Sequence, residues 1–170
     1  MKTQHGFTLI ELMVVLAVAT ILTMWAIPNL RIMVLNNRIT SKTNEFVRAV
    51  NYARSEAIIR NRPVLIAPIE DNFSNGWVVG IDTDNNNALI GNNEVLKKFK
   101  FSNKQVLLEK SQSTIPNMIS FVARGSVRQM YIFCVSNSDH PTGRKIEIAR
   151  TGRPSVERCS TSGSGEPCPC

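Results

Sequence analysis

The chain has 170 residues, a net charge of +7 and a pI near 9.6. That length suits one anchoring element plus one modest globular domain and leaves little room for more. The basic balance favours anionic partners, nucleic acid or lipid headgroups. It is equally the mark of a solvated basic surface, and it carries no information about fold.

Residues 1–6 form a short basic lead with Lys2, and an apolar run follows. From Phe7 to Leu30 the only charged residue is Glu11. As a helix rising about 1.5 Å per residue, this run reaches roughly 36 Å, enough to cross a bilayer. Arg31 and Arg38 follow it, and Trp25 falls near one end, where an indole suits an interface. A secretory signal peptide would have a shorter apolar core and a small-residue cleavage site. A plain signal anchor leaves Glu11 unexplained, because a lone carboxylate at lipid depth is costly and needs a partner.

Gly6-Phe7-Thr8-Leu9-Ile10-Glu11 resembles the opening signal of type IV pilins and of type II secretion pseudopilins. The resemblance implies cleavage by a prepilin peptidase between Gly6 and Phe7, then N-methylation of Phe7. It implies that Glu11 pairs with the amino terminus of a neighbouring subunit during assembly. It also gives Pro28 a role, as a helix-breaking residue where the helix can melt in a fibre; otherwise Pro28 merely marks the membrane exit. The implied partners are other pilins or pseudopilins, the prepilin peptidase and the inner-membrane assembly platform. The implied location is a single pass of the inner membrane, with the carboxy-terminal domain in the periplasm and later in a pilus or pseudopilus.

From Asn36 to Arg62 the period stays helical. Ile39, Thr43, Phe46, Val50, Ala53 and Ala57 make one stripe, with Arg38, Lys42, Arg48, Arg54 and Arg60 mostly off it. The arginines read as a solvated face or as a contact for an acidic neighbour. Asn61-Arg62-Pro63 ends the helix. Beyond it the period shifts towards two, giving strands at Val64–Ile69, Gly76–Asp82, Val95–Phe99, Ile119–Ala123, Met130–Val135 and Arg144–Arg150. The expected class is α+β: a long amino-terminal helix, membrane-spanning in its first half, packed on an antiparallel sheet as in the pilin fold. The expected divisions are a leader 1–6, an assembly helix 7–30, its amphipathic continuation 31–62, a sheet domain 63–159 and a mobile tail 160–170.

Tyr52-Ala53-Arg54-Ser55-Glu56-Ala57, Gly76-Trp77, the Asp82–Asn87 turn and Gly152-Arg153 resemble the GspH/FimT group of minor pilins and pseudopilins. This implies a minor pilin at or near a pilus tip that helps to start assembly. The alternatives are a DNA-binding minor pilin for natural transformation and a minor pseudopilin of a type II secretion system.

The four cysteines, Cys134, Cys159, Cys168 and Cys170, lack metal-ligand spacing. They favour disulfides in an oxidising compartment, and sequence leaves the connectivity open. The resemblance implies a bond from a late strand to the carboxy-terminal segment, hence Cys134–Cys159 as the expected pair. Cys168 and Cys170 are left to close on each other under strain, to bridge elsewhere or to stay reduced. The candidate DNA contacts are Arg144, Lys145, Arg150, Arg153 and Arg158. Of the Gly-Arg-x-Arg motif of DNA-binding pilins in this group, only Gly152-Arg153 is present; Ser155 stands at the second arginine. The oxygens of Asp82, Asp84 and Asn86 make an incomplete calcium pattern and read as an Asn-rich turn. No catalytic constellation, metal site or cofactor is expected; past the leader the one histidine is His140, in a turn-like segment.

Overall fold

The computed structural model describes residues 8–83, 89, 94–101, 106–111, 117–137 and 140–160, side chains 25, 26, 28, 29, 140–142 and 160 excepted. The chain divides into two units, 1–37 and 38–170. One helix, α1 (Leu9–Arg60, 52 residues), passes through both and is continuous through position 28. It is followed by eight strands: β1 (Val64–Ile69), β2 (Asn72–Ile81), β3 (Glu94–Lys100), β4 (Leu107–Lys110), β5 (Ile119–Phe121), β6 (Tyr131–Asn137), β7 (His140–Ile148) and β8 (Pro154–Ser160).

Both ends of α1 are chemically capped. At its start, Thr8 Oγ1 accepts from the Glu11 backbone N–H at 3.3 Å, and the Thr8 backbone N–H donates to Glu11 Oε2 at 3.1 Å. This reciprocal pair satisfies donors that a helix start otherwise leaves open. At its end, Asn61 takes the left-handed conformation at φ 51°. The Asn61 N–H donates to Ile58 O and the Arg62 N–H to Ala57 O, each at 3.3 Å. That is the double closure of a Schellman end, and Pro63 behind it cannot continue the helix.

In the first unit the described side chains from Leu9 to Met24 are exposed and, apart from Glu11 and two threonines, apolar or small. Among the described residues no helical stretch is long and apolar enough to cross a membrane. Leu9–Met24 alone would reach only about 24 Å against a hydrocarbon core of about 30 Å.

In the second unit the expected stripe is the buried face of the helix. Ile39, Thr43, Phe46, Val50, Ala53 and Ala57 are all at 3% exposure or less, and Ala49 joins them. Lys42, expected off the stripe, is buried as well. The strands form two antiparallel four-stranded sheets rather than one, ordered β3-β2-β1-β5 and β4-β6-β7-β8. Phe46 joins them in the core. Its ring lies edge-on to Trp77 of β2 at 5.0 Å and to Phe133 of β6 at 4.8 Å. Ser74 adds a polar stitch: its Oγ accepts from the Leu108 N–H of β4 at 2.9 Å.

Six strands fall where the alternation placed them, with shifted ends; β4 and β8 were not expected. β3 is an edge strand carrying Lys97, Lys98 and Lys100, a charge pattern that discourages strand addition by other chains. β8, an edge strand of the second sheet, holds Cys159, which the sequence reading had placed after the last strand.

Candidate functional site

Two regions carry the chemistry. The first is the start of α1. Thr8 Oγ1 also donates to Glu11 Oε2, at 3.2 Å. The Glu11 carboxylate is therefore held by its own chain at the helix start, where the axial dipole also favours a negative charge. Gly6 and Phe7, the expected processing site, lie outside the described residues.

The second region is built where the far part of α1 meets two turns. Each turn centres on a glycine in the left-handed region, Gly125 at φ +74° and Gly152 at φ +77°. The Gly125 N–H donates to Val122 O at 2.7 Å and the Gly152 N–H to Ala149 O at 2.8 Å. The Val127 N–H donates to Arg150 O at 3.0 Å and ties one turn to the other. Arg54 of the helix donates its Nε–H to Gly125 O at 3.1 Å. A Cβ at Gly152 would run into that same oxygen and press on Arg54 Cδ and Nε at 3.2 and 3.3 Å. Only glycine allows the turns and the guanidinium to stack this closely.

The double turn displays cations. Arg124, Arg128, Arg150 and Arg153 are exposed on it, and Arg54 is half-buried beneath. Among the described residues none of them is in an ion pair. A guanidinium without a carboxylate can take a phosphate or another anion bidentately.

The structure does not gather the five expected basic residues into one patch. Arg150 and Arg153 belong to the double turn. Arg144 lies six residues back along the sheet, roughly 20 Å away. Its Nη2 donates to Thr40 Oγ1 of the helix at 3.3 Å. Arg158 stands directly opposite Arg144 on β8, not near the turn. Lys145 is on the other face and pairs with Glu147 at 3.5 Å. The sequence reading missed Arg54 as part of the turn site and left Arg124 and Arg128 out of the candidate DNA contacts. The available signal was the pair of Arg-Gly and Gly-Arg steps at 124–125 and 152–153.

Lys42 is the other site the sequence did not reveal. Its ammonium donates to Val106 O at 2.6 Å and Ser74 O at 3.2 Å, and it lies 4.8 Å from the Phe101 ring centre. Burial lowers its pKa from 10.5 to about 8, with Glu45 opposing the shift. These contacts tie the helix to the starts of β2 and β4, so Lys42 reads as a structural bolt.

Cys134 on β6 and Cys159 on β8 are both disulfide-bonded, and no described cysteine is free. Their expected bond to each other does not fit the strand order, because β7 lies between β6 and β8. Cys134 sits beside Lys145, and Lys145 beside Glu157, two residues short of Cys159. Two strand spacings and a two-residue offset separate the Cα atoms by about 12 Å, whereas a disulfide needs less than about 7 Å. Cys168 and Cys170 lie outside the described residues. So does Asp84 of the Asn-rich turn; Asp82 is buried, and its N–H donates to Pro63 O at 3.0 Å. Among the described residues no group of His, Cys, Asp or Glu is arranged to hold a metal.

Comparison with known proteins agrees with this architecture. The family model described as type II transport protein GspH matches residues 42–152, and the prokaryotic N-terminal methylation motif matches residues 1–27. The crystal structure of the type IV minor pilin FimU of Pseudomonas aeruginosa strain PAO1 in space group P21 superposes with a TM-score of 0.59 at 22% identity. The match covers 72% of this chain and 90% of that one. The P65 form of FimU gives 0.56 at 22% identity, over 69% and 91% of the two chains. At this identity the likeness establishes the fold, a helix on antiparallel sheets. No curated protein matches the chain in sequence.

Proposed function

Because the chain belongs to the GspH family of pilin-like proteins, we propose that it is a minor type IV pilin that enters the fibre at or near its tip and helps to start assembly. In this reading it is a structural subunit. A prepilin peptidase removes residues 1–6, Phe7 is N-methylated, and residues 7–30 hold the subunit in the inner membrane with its sheets in the periplasm until assembly. Pro28 then lets the helix loosen inside the fibre.

The observation that carries this reading is the start of α1. The match to the methylation motif, residues 1–27, includes a carboxylate, Glu11, that its own helix start holds through Thr8. Such a carboxylate is solvated by its own chain before assembly and can exchange that bond for the methylated amino terminus of a neighbour. Glu11→Ala should leave the protein in the membrane fraction, cleaved after Gly6, and absent from sheared fibres. Recovery of the variant in fibres at the wild-type level would sink the pairing role. A deletion strain separates the rivals: fewer surface pili support the pilus, whereas normal pili with failed protein secretion assign the subunit to a type II pseudopilus.

A second reading is favoured by the double turn. Arg124, Arg128, Arg150 and Arg153 form an exposed cationic group suited to the backbone of DNA in a pilin for transformation. Among the described residues no aromatic side chain is exposed with them, so binding would be to phosphate and strongly salt-dependent. Joint replacement of Arg150 and Arg153 by Ala should abolish a low-salt mobility shift, whereas Arg158→Ala should leave most of it. Absence of any shift at low salt ends this reading.

A further inference from the structure

The first sheet ends at β3, and among the described residues no strand lies on its outer side. Its backbone therefore leaves a row of donors and acceptors open to another chain. Beside this edge a groove of about 450 Å³ opens between the strand and α1, lined by Glu45 and Arg48 of the helix and by Lys97, Lys98, Phe99 and Lys100 of β3. The register splits the lysines between two faces. Lys97 stands opposite Val79 and Phe99 opposite Trp77, both buried on the helix side of β2, whereas Lys98 stands opposite Val78. Lys97 is held in place: its ammonium lies 5.0 Å from the Phe99 ring centre and 5.7 Å from that of Tyr52. Arg48 is steadied by its Nε–H, which donates to Asn44 O at 3.3 Å. All four cations are exposed, and among the described residues none is in an ion pair. Glu45, the one carboxylate of the groove, bears on the buried Lys42 ammonium.

We propose that β3 accepts an acidic, extended segment of a partner protein as an added strand, with the β3 backbone supplying the ladder and Arg48, Lys97, Lys98 and Lys100 selecting its side chains. The edge and the charges ask for the same ligand. Lysines on an edge turn neutral and basic strands away. They admit a strand whose carboxylates meet them, and specificity comes from that contrast. Cross-strand neighbours on one face stand about 5 Å apart, within reach of an ammonium and a carboxylate. An acidic side chain on the helix side meets Lys97, already ordered by two rings, and Arg48, whose guanidinium can take a carboxylate bidentately. One on the other side meets Lys98 or Lys100. β3 has 7 residues and can hold an added strand of about 20 Å. A polyanion such as DNA would use the cations and leave the backbone edge unpaired, whereas a peptide satisfies both. The groove shares no residue with the double turn.

Fluorescence anisotropy with the full-length protein in detergent tests this, the probe being a labelled peptide Thr-Glu-Glu-Val-Glu-Glu-Thr at low salt. Binding should saturate, and it should weaken as salt rises. No saturable binding would end the proposal, as would equal binding of the peptide with lysines in place of its glutamates. The same peptide N-methylated at every residue keeps its carboxylates but can donate no ladder bond, so it should bind at least about tenfold more weakly. Undiminished binding of that peptide would overturn the added strand and leave a patch for polyanions such as DNA. The double variant Lys98→Glu, Lys100→Glu should also lose about tenfold or more in affinity, and an unchanged affinity would contradict the selecting role of the lysines. Hydrogen exchange of the wild-type protein gives a readout that needs no variant to fold. Bound peptide should slow exchange at residues 94–100; slowing at residues 124–128 or 150–153 instead would place the peptide on the double turn and overturn the proposal.

Discussion

Arg54 and Gly125 are 71 residues apart in the chain, and the Arg54 Nε–H donates to the Gly125 carbonyl at 3.1 Å. Gly152 closes over this bond from a second turn, with no room for a side chain. The guanidinium therefore fastens the helix to the Gly125 turn, and the bond from the Val127 N–H to Arg150 O ties in the Gly152 turn packed against it. A cationic surface formed from separate loops gains its shape from such a fastening.

Gly152→Ala should destabilise the fold by about 2–4 kcal/mol, combining left-handed strain with the collision at Gly125 O. Arg54→Ala should cost about 1–2 kcal/mol, because it strips a part-buried carbonyl of its donor. Urea denaturation of the detergent-solubilised protein checks both. A Gly152→Ala variant as stable as wild type would contradict the described turn.

Lys42 predicts a dependence on alkaline pH. Burial holds its pKa at about 8 in the folded chain, against an ordinary value of 10.5. Between these values the unfolded chain binds the extra proton, so stability rises with pH over that window. The contribution is absent below pH 8 and complete above 10.5. Its full size is about 3 kcal/mol at the usual 1.36 kcal/mol per pKa unit. Lys42→Met removes the titration, so the wild-type minus variant stability difference should climb from pH 8 to 10. A flat difference would show that Lys42 titrates normally.

Phe46→Ala should cost about 3–5 kcal/mol, since it opens a cavity between Trp77, Phe73 and Phe133 and parts the helix from both sheets at once. Phe46→Leu should cost clearly less. Near-UV circular dichroism should lose its aromatic signal in the alanine variant at temperatures where wild type keeps it.

Thr8→Val keeps the shape of the first helical turn but removes the capping oxygen. It should cost about 1 kcal/mol of local helix stability. Amide hydrogen exchange at residues 9–12 should accelerate several-fold while residues 39–57 are unchanged. Equal exchange in both proteins would mean that the cap contributes nothing.

The helix was legible because its signals are local. A stripe at alternating spacings of three and four and an Asn-Arg-Pro end each act within a turn or two of themselves. Strands with a buried face were legible for the same reason. β4 was missed because four residues, Leu107-Leu-Glu-Lys, carry too little alternation. β8 was missed because it opens with Pro154 and runs along an edge, so burial imposes little pattern on it. Lys42 looked like a surface cation because its acceptors, Ser74 O and Val106 O, are backbone atoms that any residue could supply.

The sequence by itself determined the methylation motif at its start, the helix, most strands and the family, because these depend on residue type and short-range order. Tertiary structure decided what depends on register and strand order. It split the basic residues between two faces and a turn, it placed Arg54 between Gly125 and Gly152, and it set β7 between Cys134 and Cys159. Composition names the groups available for a bond, but strand order sets the distance between them.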